Sequence, residues 1–118
     1  MACTFHAIAD DEATVVAKHS AMQSCPNDFF QLPLYPQARM CQIFAEELPA
    51  SLVYHANADQ ETTKDYYLQS LGQAESENTL KGRIVLQYKN GDRIIIISAD
   101  GNGTQVDILV KGEDLDQV

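Results

Sequence analysis

Three consecutive β-strands, with both connecting turns spelled out in the letters, constrain this chain more than any other feature. Lys81-Gly82-Arg83-Ile84-Val85-Leu86-Gln87-Tyr88-Lys89 reads as the first, Asp92 to Ala99 as the second and Thr104 to Lys111 as the third. Asn90-Gly91 favours a two-residue type I′ turn, because both central residues take positive φ. Asp100-Gly101-Asn102-Gly103 supplies similarly permissive backbone and is expected to form a slightly longer loop. The result is an antiparallel meander, a fold signal that carries no chemistry.

The meander's edges alternate cleanly. Ile84, Leu86 and Tyr88 oppose Val85, Gln87 and Lys89, while Val106, Ile108 and Val110 oppose Gln105, Asp107 and Leu109. Between them Ile94-Ile95-Ile96-Ile97 does not alternate, which points to a central strand covered on both faces. Val85, Ile95, Ile97 and Leu109 are expected to share the second face. An apolar face of that size on a small domain calls for a partner, a ligand or a dimer, unless the N-terminal helix or the connector around Phe29–Tyr35 covers it.

Upstream, Arg39 to Glu46 and Ser51 to Asn57 read as two strands joined by Glu47-Leu48-Pro49-Ala50. Asn57 or Asp59 then caps a helix running to Leu71, with Gly72 just past its end. Residues 73–80 read as a polar loop. The first third holds a second helix, capped by Asp10 or Asp11, with Val15, Val16, His19, Met22 and Gln23 at helical spacing. That helix ends before Cys25-Pro26. Residues 26–38 contain three of the four prolines and read as an extended connector. The expected fold is therefore α+β, a two-layer, largely antiparallel five-stranded sheet in ββαβββ order with an additional N-terminal helix. A chain of 118 residues holds one such domain. Within it, residues 1–38 form the N-terminal helix and Pro-rich connector, 39–111 the ββαβββ core and 112–118 an acidic tail.

Charge narrows the classes of partner. Seventeen acidic residues against 8 basic ones give a net charge of −9, and the basic residues are scattered. Nucleic-acid binding requires clustered Lys and Arg, so neither nucleic acid nor an anionic membrane surface is expected as a partner. No run of about 18 apolar residues suggests a transmembrane segment. Met1-Ala2-Cys3 is not followed by a basic n-region and an apolar h-region, so no signal sequence is expected in the chain as given. Two locations stay open: cytoplasmic if Met1 is the natural start, periplasmic or lipoprotein if a signal peptide was removed. Cys25 and Cys41, 16 residues apart, either form a disulfide that leaves Cys3 odd or remain reduced thiols together with it.

Three segments stand out in order along the chain: Tyr35-Pro36-Gln37-Ala38, Asp65-Tyr66-Tyr67-Leu68-Gln69-Ser70-Leu71-Gly72 and Gly101-Asn102-Gly103-Thr104-Gln105-Val106-Asp107-Ile108. In these the chain resembles a small bacterial domain common in uncharacterised envelope proteins and lipoproteins. The family has a Tyr-Pro-Gly-Ala-like element where Gln37 stands here. The resemblance covers roughly residues 33–111. It implies the ββαβββ order and an envelope location, and it transfers no catalytic residue and no ligand.

No motif assigns a catalytic residue, a metal site or a cofactor. Cys-x-x-Cys, His-x-x-x-His and His-Glu-x-x-His are absent, although distant residues such as Cys25, Cys41 and His55 could in principle converge on a metal. Asp100-Gly101-Asn102-Gly103-Thr104 fails EF-hand spacing, because the sixth position holds Gln105 rather than glycine. Three functional readings remain. The first is a non-enzymatic module acting through contact with a protein partner or through homodimerisation. The second is a small-ligand binder with a cavity lined by Phe44, Tyr54, Tyr66 and Tyr67. The third is a cysteine-dependent enzyme with Cys25 as nucleophile and a histidine within reach.

Overall fold

The structure, a computed structural model, describes residues 22–112. Its strands are β1 (Met22–Gln23), β2 (Asp28–Phe29), β3 (Leu32–Pro33), β4 (Arg39–Ala45) and β5 (Ala50–Ala56), then, after helix α1 (Gln60–Leu71), β6 (Ser76–Leu80), β7 (Arg83–Tyr88), β8 (Arg93–Asp100) and β9 (Gly103–Val110). Seven strands form one antiparallel sheet in the order β1-β4-β5-β9-β8-β7-β6, and β2 and β3 form a small hairpin of their own. The fold is thus α+β with a dominant antiparallel sheet, larger than the five strands expected.

Two strands account for the difference. Met22 and Gln23, assigned above to the end of a helix, instead pair with Gln42 and Cys41 as β1. The rest of that expected helix, and the acidic tail from residue 113, lie outside the described residues. Ser76–Leu80, expected as loop, is the edge strand β6, paired from Ser76↔Gln87 to Leu80↔Arg83. It has no apolar alternation because both of its sides are largely exposed, so there is no face for the sequence to mark. Polar, charged edge strands of this kind resist edge-to-edge aggregation.

The turns explain the register. Asn90 (φ 57) and Gly91 (φ 88) form the expected left-handed turn, closed by the Asp92 amide donating to the Lys89 carbonyl at 3.0 Å. Lys89 joins it at φ 53, so the ladder ends at Tyr88↔Arg93. Lys81 (φ 53) and Gly82 (φ 81) make a second turn of the same hand between β6 and β7, so the strand expected to begin at Lys81 begins at Arg83. The Asp100–Gly103 loop is shorter than expected: these two residues pair, leaving Gly101-Asn102 as a two-residue turn with Gly101 at φ 64. Gly103 is required for a different reason. A Cβ there would lie 2.4 Å from the Ala56 carbonyl oxygen and 2.9 Å from His55 Nε2.

One face of the sheet is the core. Ala50, Leu52, Tyr54 and Ala56 of β5, Ile84, Leu86 and Tyr88 of β7, Ile95 and Ile97 of β8, and Val106, Ile108 and Val110 of β9 are all buried. Helix α1 covers this face with Thr63 and Tyr67, and the connector adds Phe29, Leu32 and Leu34. Asp59 caps the helix, accepting from the Thr62 amide at 2.8 Å. Gln60 fastens its first turn to the sheet by donating from Nε2 to the carbonyls of Ile97 (3.0 Å) and Gly82 (2.8 Å). The disulfide Cys25–Cys41 ties the start of the connector to β4. No helix among the described residues is long and apolar enough to cross a membrane.

Candidate functional site

The aromatic residues expected to line a cavity divide in the structure. Tyr54 points from β5 to the helix, where its hydroxyl meets that of Tyr67 at 2.6 Å and accepts from the Tyr35 amide at 2.8 Å. Tyr66 donates to the Leu34 carbonyl at 2.9 Å, and its ring sits edge-on to Tyr35 and Tyr67, each at 5.2 Å. These hydroxyls are occupied by protein groups, so the cluster is a clamp that fixes both helix and connector on the sheet. Burial pushes the Tyr54 phenol up to about 12. Burial also pushes Tyr67 well above the ordinary tyrosine value, with the nearby Tyr54 adding to the effect. Phe44 takes no part. It is the extra residue where the β4–β5 register shifts between Ile43 and Ala45, and it is 61% exposed. A β-bulge turns its side chain away from the alternation that the sequence suggests.

The expected four-residue apolar face is also divided. Register places Ile95 opposite Leu86 and Ile108, and Ile97 opposite Ile84 and Val106, so both lie in the core beneath the helix. Val85 and Leu109 lie on the other face, where their partners are Ile96 and Ile94. The face left open by the described residues is therefore centred on Val85, Ile94, Ile96 and Leu109, with Val53 one strand further across. All five are half-buried, and none belongs to the core cluster. Helix and connector both pack on the opposite side, so no described helix covers this face.

Its chemistry is mixed in a specific way. Asp107 sits between Val53 and Ile96 in one cross-strand row, its carboxylate accepting from Gln105 Nε2 at 3.1 Å. Toward the β6 edge the face opens into a hollow of about 500 Å³ lined by Thr79, Leu80, Lys81, Arg83, Val85 and Ile96. Leu80 is 60% exposed there. At the far end His55 Nδ1 lies 3.2 Å from Asp100 Oδ2. That pairing ties the β8–β9 turn to β5. Ile94 and Ile96 are the site residues that the sequence reading missed. The signal that could have found them is the turn register itself.

The disulfide bears on the remaining candidates. Cys25 has no thiolate to serve as a nucleophile while it is bonded to Cys41, and the same bond removes both sulfurs from any metal site with His55. Comparison with known proteins finds no matching family model, no similar curated protein and no similar solved structure.

Proposed function

We propose that this protein is a non-enzymatic module that works by protein–protein contact through the open face of its sheet. The observation that carries the reading is the apolar centre Val85, Ile94, Ile96 and Leu109, on the side away from α1 and the connector. A contiguous half-buried apolar patch that no described helix covers fits an interaction site. Charge selects the partner. A second copy would bring another −9 and a second Asp107 to the contact, whereas a segment bearing apolar side chains beside Lys or Arg would pair Asp107 and meet the acidic chain favourably. The Cys25–Cys41 disulfide and the resemblance to small bacterial envelope domains fit an oxidising compartment, where such bonds persist.

A synthetic peptide with Leu and Val flanked by Lys tests this directly. Titrated into the labelled protein, it is expected to shift the amide resonances of Val85, Ile94, Ile96, Asp107 and Leu109, more weakly at high salt and more weakly in Asp107→Asn. Light scattering on a dilution series provides the other arm. A dimer abolished by Ile96→Ser would make the occupant a second copy instead. A monomer whose open face responds to neither peptide nor concentration would overturn the reading.

A further inference from the structure

Arg93 opens β8 on the core side of the sheet, opposite Tyr88 and Val110, and only 6% of it is exposed. A buried cation normally faces an anion or a full set of acceptors. Here Nη1 donates to the Gly112 carbonyl at 2.7 Å, and no carboxylate among the described residues pairs with the guanidinium. Arginine has five N–H donors, and the Gly112 carbonyl, the one side-chain partner of Arg93 among the described residues, does not use them all. Arg93 lines a cleft of about 300 Å³, with Phe30, Leu32, Leu71 and Tyr88 as apolar walls and Lys89 also lining it.

The wall facing Arg93 is built at a cost. Phe30 (φ 53) and Gln31 (φ 70) are both left-handed in the two-residue turn joining β2 to β3, with no glycine to ease either position. Left-handed backbone at bulky residues concentrates at ligand sites, where neighbouring structure holds it in place. The Phe29 ring, edge-on to Phe30 at 5.0 Å, helps to hold this one.

We infer that this cleft binds a small monocarboxylate with an apolar aryl or alkyl body, its carboxylate forked on Arg93 and its body between Phe30 and Leu71. The guanidinium geometry matches a planar carboxylate bidentately. A single negative charge is favoured over a phosphate dianion, because the carbonyl end of α1 lines the same cleft and opposes further negative charge. The site is on the opposite side of the sheet from the proposed contact face and does not depend on that reading.

Amide-detected NMR titrations of the full chain with benzoate, benzamide and inorganic phosphate test the inference. Benzoate is expected to shift Phe30, Gln31, Leu71 and Arg93 and to bind at least about tenfold more tightly than benzamide, which lacks the charge. Arg93→Met should abolish those shifts, and Arg93→Lys should weaken them by losing the fork. If Arg93→Met does not fold, the benzoate–benzamide comparison on the native chain decides alone. Equal binding of benzamide, stronger binding of phosphate, or no shift in the cleft at millimolar benzoate overturns the inference.

Discussion

Gln37 shows how a single residue can depart from the conformation its position requires. The Ala38 amide donates to the Tyr35 carbonyl at 3.0 Å, closing a turn with Pro36 and Gln37 at its centre. Proline followed by a residue at positive φ is a type II turn, and Gln37 takes φ 63. Glycine is what such a turn favours at this place. Gln37 is exposed, so its side chain gains little packing in return. Left-handed backbone costs a non-glycine residue about 1–2 kcal/mol, and glycine gives back about 0.5–1 kcal/mol of that in unfolded-chain entropy. Gln37→Gly should therefore raise stability by about 0.5–1 kcal/mol, read as a higher urea midpoint at unchanged slope. A lower midpoint would mean that the Gln37 side chain makes a contribution larger than the strain. The expected extended connector over residues 26–38 contains neither this turn nor the equally left-handed Phe30-Gln31 turn, because Gln37, Phe30 and Gln31 do not signal positive φ.

Helix α1 is attached to the sheet chiefly by hydrogen-bonding groups. Only Thr63 and Tyr67 of its residues are fully buried. Thr63 Oγ1 donates back to the Asp59 carbonyl at 2.8 Å and lies 3.3 Å from Thr104 Oγ1. The Tyr54–Tyr67 contact is thus the main link between helix and β5, and it should respond to pH in a defined direction. Both phenols have folded-state values raised by burial, so folding favours their neutral forms. Their contribution is complete below the unfolded value of about 10 and is lost as pH rises. For Tyr54 the loss runs from about 10 to about 12 and amounts to roughly 3 kcal/mol, with Tyr67 still protonated in the fold beyond that range. Urea unfolding across this interval should show stability falling steeply, with delayed tyrosinate absorbance from the folded protein. Flat stability, or ordinary titration of every tyrosine, would remove the clamp from this account. The helix itself was legible from Asp59, the aromatic pair and Gly72. Strand β6 was not, since a doubly exposed edge leaves no apolar period to read.

For the molecule as a whole, the decisive question is which isoleucines are inside. The run Ile94–Ile97 carries no alternation, so composition alone cannot assign faces. The turns can: closing β7 and β8 through Asn90-Gly91 sets Leu86 against Ile95, and closing β8 and β9 through Gly101-Asn102 sets Ile95 against Ile108. Grouping Ile95 and Ile97 with Val85 and Leu109 contradicts that register, because directly paired residues project to the same face. Substitution separates the two sides. Ile95 is fully buried, so Ile95→Ala should cost about 3–4 kcal/mol, the usual result of opening a cavity in a packed core. Ile96 is half-buried on the open face, so Ile96→Ala should cost about 1 kcal/mol or less. Urea midpoints of the two variants provide the comparison, and amide spectra verify that each remains folded. Similar losses at both positions would mean that the chain buries its second face itself. The open surface would then be part of the core, and the proposed protein contact would lose the apolar centre on which it depends. A large difference leaves Val85, Ile94, Ile96 and Leu109 available to another molecule while the fold rests on Ile95 and Ile97.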